Sequence, residues 1–180
     1  MKVSHRFINI FRLSLVLALS LLLLIFVGLG EARRTYPRFE IEKMAAQGEL
    51  VQIAMSPFLL ADLPLSQFPG FETLTVPILD STPSVASIYA VNNKGEIPFV
   101  NSSSSFNGTL ETFDELAKAE KSSFQNETDP YLVTETNSYY QVSFELQGRL
   151  EKVGQLHIVM PKSIVETTVR SRFRFVQFAA

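Results

Sequence analysis

The hydrophobic pattern of this chain changes abruptly after its first thirty residues. Residues 7–30 are apolar with Arg12 as their one charge, and from Leu13 to Gly30 there is none. About 20 residues of helix, at 1.5 Å rise each, cross the hydrocarbon of a bilayer, so the run is long enough to span. The pattern then becomes amphipathic. Met44, Val51, Met55 and Phe58 fall at i, i+7, i+11 and i+14, which predicts a helix over residues 36–61 with one apolar face. Pro37 is expected near its start, where a helix tolerates proline, and Pro57 is expected to kink or end it.

Beyond that helix, Pro69, Pro77 and Pro83 mark a connector with one short helix over residues 71–79. Residues 85–91 and 96–100 are apolar runs separated by Asn92-Asn93-Lys94-Gly95, and Asn and Gly supply the positive φ angles of a tight hairpin. Leu110, Phe113, Leu116 and Ala117 return to helical spacing, with Thr112 and Glu115 placed as a capping box. Residues 121–130 predict a loop. Residues 131–135, 139–146 and 153–160 are rich in β-branched and aromatic side chains with turn residues between them. Alternation places Leu156, Ile158 and Met160 on one face and His157 and Val159 on the other. Helical spacing resumes at Ile164 and runs through Val165, Val169, Phe173 and Val176. Such an ending packs on the sheet or opens a second membrane span. The pattern as a whole predicts an α+β fold with one antiparallel sheet of about five strands and flanking helices.

Charge sharpens this picture. Between Met44 and Ser163 six basic residues face fourteen acidic ones, while arginines flank the middle at Arg33, Arg34 and Arg38 and at Arg170, Arg172 and Arg174. An acidic body repels polyanions, which excludes nucleic acid as the natural partner, and basic ends suit anionic lipid headgroups. The chain has no cysteine and two histidines, His5 and His157, so disulfides, thiolate metal sites, thiol catalysis and multi-histidine metal sites are excluded together.

The first segment has two readings. Lys2, Arg6 and Arg12 before the apolar core and Gly28, Gly30 and Ala32 after it resemble a cleavable export signal. The apolar region of such a signal is about 7–15 residues, shorter than this one, which favours a retained anchor. The basic residues ahead of the core place the amino terminus in the cytoplasm and the acidic domain outside it, although Arg33, Arg34 and Arg38 reduce the asymmetry.

Candidate chemistry is sparse. Glu111, Asp114 and Glu115 share a helix, but a cation site needs several oxygens converging in a shaped loop, and a solvated helix face is the simpler reading. His157 lies on a strand with a reference pKa of about 6.5, either as a pH sensor or as an ordinary hydrogen-bonded residue. Ser102 to Ser105 have no glycine elbow, so no nucleophile is indicated. Tyr89, Phe99, Tyr131, Tyr139 and Tyr140 are the candidate ligand-binding residues, as aromatic side chains with polar tips suit small molecules; half-buried strand packing is the alternative. No catalytic residue, cofactor or metal is expected. Asn101, Asn107 and Asn126 head N-glycosylation sequons, which fit loops of an exported domain.

The order of parts resembles the extracytoplasmic PAS-like sensor domains, called Cache domains, of bacterial transmembrane receptors. The matching residues are 87–97, 139–146 and 153–161, and the resemblance covers residues 36–165. It implies residues 1–32 as cytoplasmic tail and anchor, 33–163 as a PAS-like sensor domain and 164–180 as a C-terminal helix that begins a second transmembrane segment. It also implies a non-enzymatic sensory input function, a small-molecule ligand, the bilayer as a partner, and a homodimer through the membrane-proximal helices. In that arrangement the two arginine clusters mark one membrane surface. Two departures stand out: no arginine lies between Arg38 and Arg149, where relatives that bind amino acids or small acids place one, and nothing within these 180 residues corresponds to the output domain into which such receptors continue. The rival reading is a bitopic structural or assembly protein that binds another membrane or envelope protein.

Overall fold

The computed structural model describes residues 5–104, 106, 109–164 and 167. The first element is a single helix, α1 (His5–Leu60), and the chain divides into two compact units at Pro37/Arg38. In the first unit, residues 11–28 are apolar and every side chain is exposed, and by length and composition this is the one stretch among the described residues able to cross a membrane. The hydroxyl of Ser20 donates to the carbonyl of Val16 at 2.9 Å, so this polar group is satisfied within the helix and needs no water.

The second unit begins with the remainder of α1. Ile41, Met44, Ala45, Val51, Met55 and Leu59 are all buried, one stripe of the helix, and each large apolar side chain so buried contributes about 1.5–3 kcal/mol. Met44, Val51 and Met55 are on the predicted face. Phe58 is only half-buried, edge-on to Phe68 at 5.4 Å, and Leu59 takes the core position instead. The helix begins well before Pro37, which was expected near its start, and it ends within one turn of Pro57. Pro37 lies far inside a continuous helix, and Pro57 is followed by another three helical residues. Proline removes one helical hydrogen bond, and at Pro57 the buried Leu59 beyond it holds the last turn in place. The helix stops where Asp62 takes a φ of 56°.

Next come a one-turn 3-10 helix (Leu65–Gln67), α2 (Phe71–Ser81), β1 (Ser87–Asn92), β2 (Phe99–Ser102), α3 (Leu110–Ala117), β3 (Glu120–Lys121), β4 (Leu132–Glu135), β5 (Tyr139–Gln147) and β6 (Lys152–Pro161). The strands form one antiparallel sheet in the order β2-β1-β6-β5-β4-β3, with six strands where about five were expected. The extra strand is β3, two residues pairing with Thr134 and Glu135 at the edge, too short to carry a period-2 signal. The β1–β2 hairpin closes as its turn residues demand: Gly95 has a φ of 80°, and Asn92 Oδ1 accepts from the amides of Lys94 and Glu96, each at 2.9 Å. Helix α3 starts three residues ahead of the expected cap, at Thr109, and the side chain of that residue makes no capping hydrogen bond.

Cross-strand register sorts the sheet into two faces. Ala90, Leu156 and Phe144 stand opposite one another, as do Ile88, Ile158, Val142 and Val133. This face meets α1 closest at Gly48, where a β-carbon would lie 2.8 Å from Cζ of Phe144 and 2.9 Å from Cδ1 of Ile158. The other face carries Tyr89, His157, Ser143, Val159 and Gln141, and α3 covers part of it. The predicted helix over residues 164–180, and with it the comparison of the two arginine clusters, lies outside the described residues beyond Ile164 and Thr167.

Candidate functional site

The face remote from α1 concentrates the buried polar groups of the domain. In β5 the alternation Tyr139, Gln141, Ser143, Glu145 turns one polar side chain after another toward it, and in the central strand β6 it turns His157. Tyr89 of β1 and Ser143 of β5 sit directly opposite His157, one on each side. The imidazole stacks on the Tyr89 ring with centroids 4.7 Å apart and planes 23° apart, and its Nδ1 is 2.8 Å from the Ser143 hydroxyl. The Tyr89 hydroxyl donates to Gln141 Oε1 at 2.7 Å, and the amide of Gln141 donates to Ser143 Oγ at 3.3 Å and to Thr134 Oγ1 at 3.4 Å. These contacts link Tyr89, Gln141, Ser143 and His157 into a closed circuit across β1, β5 and β6. Each of the four is buried.

Helix α3 provides the apolar cover. Phe113 meets the Tyr89 ring edge-on at 5.0 Å, Leu116 is buried with Tyr89 and Val159, and Val91 and Tyr139 pack at the margin. Tyr139 is also edge-on to Phe106 at 5.8 Å. The electrostatic result is a site that favours neutral groups. Burial pushes the Tyr89 phenol above its ordinary range, and burial, then the nearby Lys152 ammonium, lowers the His157 pKa to about 4. Lys152 itself pairs with Glu145 at 2.8 Å at the exposed rim.

Of the five candidate aromatics, the structure brings Tyr89 and Tyr139 to this face. The other three lie on the α1 side of the sheet. Phe99 stands opposite Ala90 and stacks on Phe71 at 5.1 Å; Tyr131 leans on Phe144 at 5.7 Å; Tyr140 stands opposite Met160, 5.8 Å from Phe124, with the Lys162 ammonium 4.8 Å from its ring. The Tyr131 phenol is raised first by burial and then by the Asp129 carboxylate. Sequence reasoning missed Gln141, Ser143 and Thr134. Their signal was the polar alternation within an apolar strand, which reads as a solvent face until α3 is seen to cover it. Near the β4–β5 turn, Asn137, Ser138, Tyr139, Pro161, Lys162 and Ser163 line an open cleft of about 340 Å³. Among the described residues no group of acidic, histidine or cysteine side chains is arranged to hold a metal. Of the sequon asparagines, Asn101 is half-buried and bonded to Thr75, Asn126 is exposed and bonded to Asp129, and Asn107 lies outside the described residues.

Fold and site together define an α+β domain with one six-stranded antiparallel sheet, whose first helix also carries an apolar segment of membrane-spanning length. No protein-family model matches the chain, and no curated protein matches it. Among solved structures it is similar to the ligand-binding domain of the Campylobacter jejuni chemoreceptor Tlp3, determined in complex with L-valine. The match has 11% sequence identity and a TM-score of 0.29, and it covers 77% of this chain and 66% of that domain.

Proposed function

We propose that this chain is a membrane-anchored extracytoplasmic sensory input domain, the amino-terminal part of a transmembrane receptor, and that it catalyses no reaction. The observation that carries this reading is the continuity of α1. One helix holds both the exposed apolar run and the stripe from Ile41 to Leu59 that forms one side of the domain core. A stimulus that repacks the sheet against that stripe therefore acts on the helix that enters the bilayer. A ligand with different affinity for two such packings shifts the balance between them. In this reading the small ligand contacts Tyr89 and Tyr139 on the α3-covered face, whereas Phe99, Tyr131 and Tyr140 shape the opposite side. With no arginine among the residues of that face, the ligand is not held by a guanidinium–carboxylate pair. The domain boundaries in this reading are residues 1–32 for tail and anchor, 33–163 for the sensor and 164–180 for the exit helix.

A homodimer through the membrane-proximal helices belongs to the same reading. Phe39, Ala46, Leu50, Ile53 and Leu60 are exposed on α1, spaced by seven, four, three and seven residues, which is an apolar seam on the side away from the sheet. The rival, a bitopic assembly protein, would use this same seam for a different protein.

The test is the full chain in lipid nanodiscs, spin-labelled at Glu42 and Thr167, screened against amino acids, small carboxylates and neutral aromatic compounds. Sensing requires at least one compound that raises the unfolding temperature and changes the label distance. No response to any compound, together with a stable co-purifying protein, would establish the assembly reading instead.

A further inference from the structure

The closed circuit of Tyr89, Gln141, Ser143 and His157 has a feature that ligand binding does not require: its central member is an imidazole sealed in its neutral form. The donors run in one direction. The Tyr89 hydroxyl donates to Gln141, and the Gln141 amide donates to Ser143 Oγ, which lies 2.8 Å from His157 Nδ1; the neutral ring continues this direction when Ser143 donates to Nδ1. Nδ1 is then an acceptor, and the ring proton resides on Nε2. Adding a proton at Nδ1 makes this atom a donor facing a donor. The Ser143 hydroxyl must turn, and the turn leaves its hydrogen without the acceptor it had.

The surroundings give the imidazolium no compensation. The ring stacks on Tyr89, which is itself packed against Phe113, Leu116 and Val159. The titratable and charged groups around it are Tyr89 on β1, Glu145 on β5 with its ion-pair partner Lys152 on β6, and, among the described side chains of α3, the half-buried Glu115. Among the described residues none of these carboxylates pairs with His157. Lys152 opposes the new charge, in agreement with the lowered pKa of His157. Water is the solvent such a charge requires, and Phe113 and Leu116 of α3 cover the Tyr89 ring that stacks on the imidazole. That helix is eight residues long, and the side chain of its N-cap residue Thr109 makes no capping hydrogen bond.

We propose that His157 is an acid-operated latch: protonation of its ring reverses the Ser143 hydrogen bond, leaves a charge in an apolar setting and releases α3 from the sheet, opening the Tyr89 face to solvent. The latch is a property of the domain's own packing and does not depend on a small ligand, so a proton can act as stimulus whether or not one binds.

The test uses the full chain in nanodiscs with His5→Gln as background, which leaves His157 as the one histidine. Its ring is titrated by NMR between pH 3 and 7.5, and amide exchange of α3, corrected for intrinsic rates, is followed over the same range. The latch predicts a His157 midpoint well below 6.5 and loss of at least ten-fold α3 protection at that midpoint. His157→Gln must keep α3 protected through the range, which separates the imidazole from the carboxylates that remain in that variant. Ser143→Ala removes the hydroxyl that stabilises the neutral ring and must raise both midpoints together. A His157 midpoint near 6.5, α3 opening unchanged in His157→Gln, or a Ser143→Ala midpoint that moves without the α3 transition would each overturn the proposal. If His157→Gln does not fold, the joint movement in Ser143→Ala decides.

Discussion

Replacing Gly48 by alanine probes whether α1 truly lies against the sheet. Alanine is a better helix former than glycine by about 1 kcal/mol, so an exposed site would gain stability from the change. At Gly48 the added carbon would collide with Cε2 of Phe144 and sit 2.8 Å from its Cζ and 2.9 Å from Cδ1 of Ile158. These two side chains are 1% and 0% exposed, so neither can swing out into water. Overpacking of this kind costs about 1–3 kcal/mol, and three sub-contact distances place it at the upper end. The net expectation is a loss of about 2 kcal/mol, which lowers the unfolding temperature by about 4–8 °C for a domain of this size. Near-UV circular dichroism of the tyrosines, recorded during thermal unfolding of the full chain in nanodiscs, reports it. Gly48→Ala combined with Phe144→Leu should recover part of the loss, since the pair is in contact and cannot be additive. Gly30→Ala, where nothing lies within 4 Å, should not lower the temperature at all. A Gly48→Ala protein as stable as the parent would refute the packing of α1 on Phe144.

Three further outcomes follow from other parts of the domain. Gly154→Ala points a β-carbon into the carbonyl of Val91 in the β1–β6 pair, a backbone atom that cannot yield, so it should prevent folding or cost more than about 3 kcal/mol, read by denaturant titration. Ser84→Ala removes the hydroxyl that donates to the buried Glu40 carboxylate at 2.7 Å and should cost about 1.5–3 kcal/mol at neutral pH in the same titration. The third concerns pH. His157 has a folded pKa of about 4 against 6.5 when unfolded, so the unfolded chain binds the proton first as pH falls. Its contribution is complete above pH 6.5 and declines between 6.5 and 4, by about 3 kcal/mol in all. Stability of the parent minus that of His157→Gln, measured from pH 7.5 to 3.5, should show this slope, and a flat difference would contradict it.

Much of the architecture was legible before any coordinates. The apolar run, the amphipathic stripe of Met44, Val51 and Met55, the Asn-Asn-Lys-Gly hairpin and the alternation of Leu156, Ile158 and Met160 each express a local rule, helix period, turn chemistry or strand period, that depends on neighbours in sequence alone. Three things were decided only by the tertiary structure. Pro37 and Pro57 are carried within one helix, because local helix breaking is outweighed by packing such as that of Leu59. The five aromatics divide between two faces, because register is a relation between strands: alternation separates Tyr139 from Tyr140, but only strand pairing puts Tyr89 on the face of Tyr139. Last, Gln141, Ser143 and His157 follow a solvent-facing pattern and are nevertheless buried. Alternation determines which side chains share a face, but only the docking of α3 determines whether that face meets water.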